Sequence, residues 1–301
     1  MCPASDLTTY EALPRVESGL NEMDLTRLAR TPRWEWPPNG GSTLLAVLDD
    51  RQAGESDRLL AAELAGEVVV INDDLAGILL SLVGDSTASE PLRCRAALSL
   101  GPVLEQMDLD SDDYFLRLDE YALGPPPISQ RTFRRIRDTL RVRYLEDDVP
   151  PNVRRHILEA SARAPADWHA DAIRAAYARE DREWRLTAVV AMCHVDGFDD
   201  EILAALDDPD AEIRCAAVSA VGAWDLDAAW PHVSALLSAP DTDRELLLAA
   251  IEAGGVIHPH EARPLLLALS VSDDADIAAA AEQAARMAAA VERELDEDAE
   301  W

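Results

Sequence analysis

Apolar and polar positions along most of this chain recur with the period of an α-helix. In 213–224, Ile213, Ala217, Ala220, Val221 and Trp224 share one stripe at a spacing of about 3.6 residues per turn. The stretch "DDEILAALDDPDAEIR" (199–214) reads as a helix, an acidic turn and the start of a second helix. Pro209 stops the first helix, because it has no N–H to donate. Asp210 stands where a carboxylate accepts from the open N–H groups of the next helix. The same order recurs in "YLEDDVPPNVRR" (144–155), "YAREDREWR" (177–185) and "LLSAPDTDREL" (236–246). The nearest thing to a strand is "EVVVIN" (67–72), and it stands alone. The pattern predicts an all-α protein built of helix pairs.

The pairs repeat. "DRLLAAELAG" (57–66), "LRCRAALSLG" (92–101) and "IRCAAVSAVG" (213–222) each place a Gly eight residues after an Arg. "VRRHILEASA" (153–162) and "WRLTAVVAMC" (184–193) share the frame without the Gly, and "ELLLAAIEAG" (245–254) and "IAAAAEQAAR" (277–286) without the Arg. The frame positions are 58, 93, 154, 185, 214, 246 and 278, so the steps are 35, 61, 31, 29, 32 and 32. Periods of this size mark a stacked repeat array. The step of 61 reads as two units, one of them irregular.

Asp208-Pro209-Asp210, Ile213-Arg214, Ala216-Ala217 and Gly222 resemble the HEAT-repeat family, in particular the short HEAT-like repeats of phycobilisome lyases. The resemblance covers roughly residues 41–290. It implies an α-solenoid of paired antiparallel helices, with about seven repeats. It also implies that the second helix of each pair lines a concave face, and that the turn Asp bonds toward the following Arg. Residues 1–40, with "TPRWEWPPNGG" (31–41), are too rich in Pro and Gly for a repeat and read as an N-terminal cap or lead-in. Residues 108–150 break the rhythm, with a helix candidate at 112–122, a "GPPP" break (124–127) and an Arg-rich helix at 128–146. Residues 291–301 form an acidic tail that is expected to fray.

Charge narrows the function. The chain has 58 acidic residues against 27 basic ones, all of them Arg, for a net charge of −31. Acid-rich, lysine-free composition suits either a high-salt cytoplasm or a GC-rich genome that writes Arg for Lys. Such a charge disfavours nucleic acid and anionic membrane surfaces as partners. The first residues, "MCPASDLTTYEALPR", have no apolar core of a signal peptide, and no uninterrupted apolar run spans a bilayer. The four Cys show no CxxC spacing and read as reduced, three of them as small buried helix residues (Cys94, Cys193 and Cys215). These readings place the protein in the cytoplasm.

The basic charge concentrates in "RTFRRIRDTLRVR" (131–143), which holds six Arg and one Asp. On a helix, Phe133, Ile136, Leu140 and Tyr144 form the buried stripe. Arg134, Arg137 and Arg141 form a second stripe beside it, and Arg131 and Arg135 point away from the core. These five are candidate partner-binding residues, since guanidinium forks suit carboxylate and phosphate. The competing reading pairs them internally with Asp147, Asp148, Glu159 and the acidic 108–120 segment. Trp224 and Trp230 are further partner-binding candidates if exposed, and packing residues between repeats if not.

No catalytic, cofactor or metal site is predicted. "HPHEA" (258–262) places two His at a possible ligand spacing without a third ligand. The deoxyhypusine hydroxylases, a HEAT-like group, hold two irons with several His-Glu pairs. This chain has one such pair, His260-Glu261, so the resemblance does not imply that activity. "MCHVD" (192–196) brings Cys193, His194 and Asp196 together only along the chain, on helix positions that diverge. The function predicted is a non-catalytic scaffold or adaptor presenting a concave helical surface, built mainly from the second helices, to a protein or peptide. Its acidic areas would favour a basic partner, with the Arg stripe as a local exception. The alternatives are a cofactor-holding enzyme or enzyme subunit of the lyase kind, and a HEAT-like DNA glycosylase, which would need a basic concave face.

Overall fold

The computed structural model describes residues 21–37, 39–112 and 126–299. Among these the regular structure is entirely helical. An entry helix, α1 (Asn21–Arg30), precedes the first pair. Seven pairs follow: α2 (Gly40–Asp49) with α3 (Glu55–Ala65), α4 (Asp73–Gly84) with α5 (Glu90–Leu98), α7 (Gln130–Leu145) with α8 (Pro151–Ser161), α9 (His169–Tyr177) with α10 (Arg182–Met192), α11 (Asp199–Ala205) with α12 (Ala211–Ala223), α13 (Trp230–Ser238) with α14 (Arg244–Ile257), and α15 (Pro259–Leu269) with α16 (Ala275–Ala299). One helix lies outside the pairing, α6 (Gly101–Asp112), which follows α5 after a single bend. The all-α array of paired helices is what the periodicity predicts.

The step of 61 resolves differently from its prediction. The second helices α5 and α8 pack directly on each other, and so do the first helices α4 and α7. Among the described residues no repeat stands between them in the stack. The extra length is α6 and the segment leading to α7, and the helix candidate at 112–122 falls, but for its first residue, outside the described residues. The Arg-rich helix is therefore a regular first helix of a pair. "EVVVIN" is the α3–α4 turn, closed by Val70 and Ile71 N–H groups on the Glu67 carbonyl at 2.8 and 2.9 Å. The acidic residues from 291 continue α16 to Ala299.

The Gly of the frame is set by stacking. A Cβ on Gly66 would stand 2.4 Å from the Ser99 carbonyl oxygen and 2.5 Å from its Cβ. A Cβ on Gly222 would stand 3.0 Å from Ala253 Cα, on α14. Second helices meet backbone to backbone there, and any side chain holds them apart.

The Arg of the frame closes its own hairpin. Arg58 donates to the Leu48 carbonyl (3.0 Å), and the buried Arg93 donates to that of Val83 (3.1 Å). Arg214 donates to the carbonyls of Asp208 (2.8 Å) and Pro209 (3.0 Å). These carbonyls are left open at the end of the first helix, where the helix dipole favours a cation. The turn carboxylates reach backward, to the Arg of the preceding unit. Asp208 pairs with Arg185 at 3.2 Å, Asp210 with Arg182 at 2.6 Å and Asp274 with Arg244 at 2.7 Å. The expected bond from turn Asp to following Arg is replaced by this ladder between repeats. Asp210 also accepts from the Glu212 and Ile213 N–H groups, the capping role its position predicts.

Two apolar cores divide the array. One runs from Leu25 on α1 to Val153 and Ile157 on α8 and Ala164 just after it, and the other from Leu158 on α8 to Ala285 on α16. Helix α8 therefore belongs to both. Second helices pack continuously, α3–α5–α8–α10–α12–α14–α16, while α7, α9, α11 and α13 have no comparable packing on one another. A stack tight along one row and open along the other bends toward the tight row. The first helices, α7 among them, make up the less continuously packed row, here the outer one. At the N-terminal end, Leu25 and Leu28 of α1 are buried in the first core, and the Trp36 indole N–H bonds the Leu28 and Thr31 carbonyls, each at 3.0 Å.

Candidate functional site

Helix α7 is fixed at its start by polar bonds. The Ser129 hydroxyl accepts from the Thr132 N–H at 3.2 Å, and the Ser129 N–H donates to Asp73 at the start of α4, at 2.8 Å. That bond is the main reason the Asp73 carboxyl lies below its usual range, with Arg135 adding a smaller effect. Phe133, Ile136 and Leu140 are buried and Tyr144 is half-buried, as the stripe predicts. The arginines lie on the other faces.

Their partners decide what they do. Arg131 and Arg134 are exposed and form no ion pair or hydrogen bond among the described residues. Arg135 is exposed, lies against Gly77 and has no ion-pair partner among them either. Arg137 donates to the Pro165 carbonyl at 3.1 Å and sits over the Phe133 ring at 5.4 Å. Arg141 approaches the exposed Asp167 at 3.6 Å. None pairs with Asp147, Asp148 or Glu159 among the described residues, so that part of the internal reading is not what the structure forms. Asp147 and Asp148 sit in the turn after α7, beyond the reach of its first turns. Arg143, at the far end of the same helix, pairs with Glu146 at 2.7 Å. Elsewhere Arg33, Arg51, Arg155, Arg163, Arg182, Arg185 and Arg244 each hold a carboxylate, while Arg27, Arg30, Arg154 and Arg179 form no ion pair among the described residues.

Clefts border this helix on both sides. One of about 930 Å³ lies between α2, α4 and α7, with Asp49, Asp73, Gly77, Arg131 and Arg135 in its walls. Another, of about 400 Å³, lies between α7 and the start of α9, with Arg134, Arg137, Arg141, Ser161, Trp168 and His169. A third, with Arg131, Arg134, Arg135, Asp138 and Thr139, crosses the helix and shares residues with both. The result is a track of guanidinium groups over the outer row.

The far wall of the smaller cleft is a latch that sequence reasoning missed. His169 is buried; its Nδ1 accepts from the Ala166 N–H (2.9 Å) and its Nε2 lies 3.0 Å from the Ser161 hydroxyl. Burial pushes its pKa down to about 4, so the ring is neutral at pH 7. The N–H on Nε2 then donates to Ser161, since Nδ1 is accepting. Trp168 packs between the Tyr144 ring (5.0 Å) and His169 (3.9 Å). A His at the first position of a helix three residues after an Ala carried no signal in the chain.

Both tryptophan candidates are half-buried between repeats. The Trp224 indole N–H donates to the Met192 carbonyl at 2.6 Å, and Trp230 stacks on His258 at 4.9 Å. His258 lies between Asp227 (2.7 Å) and Glu261 (3.2 Å), so Glu261 pairs with His258. Among the described residues no three His, Cys, Asp or Glu converge as a ligand set. Cys94, Cys193 and Cys215 are free and half-buried rather than buried, and burial raises the Cys94 and Cys193 thiols to about 11. Cys193 bonds the Val189 and Ala216 carbonyls at 3.8 Å, and no bond joins it to His194. Among the described residues no helix is long and apolar enough to cross a membrane.

Fold and site together define a class: an all-α array of helix pairs carrying a cationic helix on its outer row. No family model matches the chain, and no curated protein is similar enough to match it. Solved structures that the chain matches include human deoxyhypusine hydroxylase in complex with glycerol, at 16% identity and a TM-score of 0.39, over 89% of this chain and 96% of that one. The Escherichia coli protein YibA is 16% identical with a TM-score of 0.40, over 92% and 99%. An engineered protein is 15% identical with a TM-score of 0.34, over 84% and 97%. Likeness at this level carries nothing about activity.

Proposed function

We propose that this chain is a HEAT-like solenoid and a non-catalytic interaction scaffold, and that α7 is its partner-binding element. The observation that carries the reading is the state of its arginines. In a chain of net charge −31, Arg131 and Arg134 find no carboxylate partner among the described residues, and Arg135 forms no ion pair there, acting only weakly on Asp73. Other arginines on the array, Arg33, Arg182 and Arg244 among them, hold carboxylates. Unpaired guanidinium forks on a rigid helix suit an acidic segment of another protein, whose carboxylates they would grip in pairs. The acidic surround repels most anionic surfaces and admits only a segment that fits the track. Trp224 and Trp230 are left out of this site, because each is occupied in packing between repeats.

The test is selection from a peptide library on the wild-type chain and on an Arg131→Gln/Arg134→Gln/Arg135→Gln variant. Enrichment of Asp- and Glu-rich peptides by the wild type, lost in the variant, is the expected result. Enrichment of Lys- and Arg-rich peptides by both proteins would overturn it and give the binding role to the acidic surface. The three side chains are exposed, so unchanged melting of the variant is expected to accompany the loss.

A further inference from the structure

The cleft between α7 and α9 has features that the rest of the track lacks. It lies at the division between the two cores. Arg134, Arg137 and Arg141 stand on a helix of the first core, and Trp168 and His169 on the edge of the second. Arg137 is held before any ligand arrives, by the Pro165 carbonyl at 3.1 Å and the Phe133 ring at 5.4 Å. A guanidinium has five N–H donors, and one of them is spent on Pro165. Arg134, one turn away on the same face, has no bond among the described residues. Arg141 is tied only to Asp167, at 3.6 Å, with both side chains well exposed, an attachment a stronger anion displaces. The floor is neutral: His169 and Ser161 bond each other and place no charge under a ligand.

Three guanidinium groups on one wall offer more donors than a carboxylate has oxygens to accept them. Two carboxylates, Asp138 and Asp167, belong to the same cleft, so a ligand must displace Asp167 from Arg141 to engage all three guanidinium groups. A phosphate monoester brings three acceptor oxygens and close to two negative charges. We infer that this cleft is a phosphate-monoester site, for a phosphorylated side chain of a partner or for a free phosphate compound. The inference rests on the reading of α7 as the binding element and names the chemistry at one end of its track.

Isothermal titration with three probes tests it: an acidic peptide bearing one phosphoserine, the same peptide with Glu at that position, and inorganic phosphate. The phosphopeptide should bind about tenfold tighter than the Glu peptide, the worth of roughly one more charge-assisted bond. Arg134→Gln/Arg137→Gln should abolish that preference, and Arg131→Gln, outside the cleft, should keep it. If the double variant melts early, Arg134→Gln alone serves, because Arg134 is exposed and supports nothing in the fold. Inorganic phosphate binding as tightly as the phosphopeptide would assign the site to free phosphate compounds. Equal affinity for the two peptides, or a preference that survives the double variant, overturns the inference. In that case a Glu peptide that still binds and is weakened by Arg131→Gln leaves the scaffold reading standing. If neither peptide binds, both readings fall.

Discussion

Replacing Gly66 by Ala tests the stacking directly. The new methyl would sit 2.4 Å from the Ser99 carbonyl oxygen, 2.5 Å from Ser99 Cβ and 2.7 Å from Ser99 Cα. Comfortable carbon separations are about 3.5–4.0 Å, so the two second helices must part by roughly 1 Å. Two of the three atoms are backbone, so no rotamer change relieves the clash. Overpacking of this kind costs about 1–3 kcal/mol. Gly66 has φ −81° and ψ −7°, a conformation any residue adopts. Alanine therefore recovers about 0.4–1 kcal/mol by restricting the unfolded chain. The net expectation is a loss of about 1–2 kcal/mol. Gly41→Ala is the control, since its methyl meets only Leu75 Cδ1, at 3.8 Å, and should be neutral or stabilising. Urea unfolding followed by far-ultraviolet circular dichroism gives the comparison. Hydrogen exchange should place the loss in α3 and α5 and leave α14 to α16 unchanged, because stacked repeats feel mainly their neighbours. If Gly66→Ala is as stable as the wild type, the frame Gly is not a stacking device and the account of the repeat is wrong.

His169 gives a pH prediction. Its folded pKa of about 4 lies below the ordinary value of 6.5, so the unfolded chain binds the proton more readily. Stability is therefore lost as pH falls from about 6.5 to about 4, by up to about 3 kcal/mol from this residue. His169→Asn should flatten that part of the stability curve relative to wild type, and parallel curves for the two proteins would sink the assignment. Trp224→Phe, which removes the indole N–H from the Met192 carbonyl, should cost about 1 kcal/mol in urea unfolding and leave peptide binding unchanged. Lost binding without lost stability would return Trp224 to the site.

Much of the array could be read from the chain because its signals are local. The stripe of α7, the Asp210 cap and the seven pairs each follow from residues within a few positions of one another. The irregular step could not be read that way. Whether 61 residues hold one pair or two depends on α5 meeting α8, a contact across the insertion. The frame Arg was visible as a spacing, but its partner is a main-chain carbonyl, which any residue offers. The same limit hid the His169 latch, built from a backbone N–H and a serine. The arginines of α7 are legible as candidates, but that Arg131 and Arg134 have no partner among the described residues is a fact of three dimensions.

The sharing of α8 between two cores has a mechanical consequence. An array with one continuous core flexes evenly along its length. Here the two halves meet on the outer row at a joint bridged by Arg137 with Pro165, Arg141 with Asp167 and Tyr144 with Trp168. Drawing the two ends apart would load those bridges and alter the spacing of the arginines beside them. An anion bound in the cleft as inferred would add one more link across that joint, between a helix of each half.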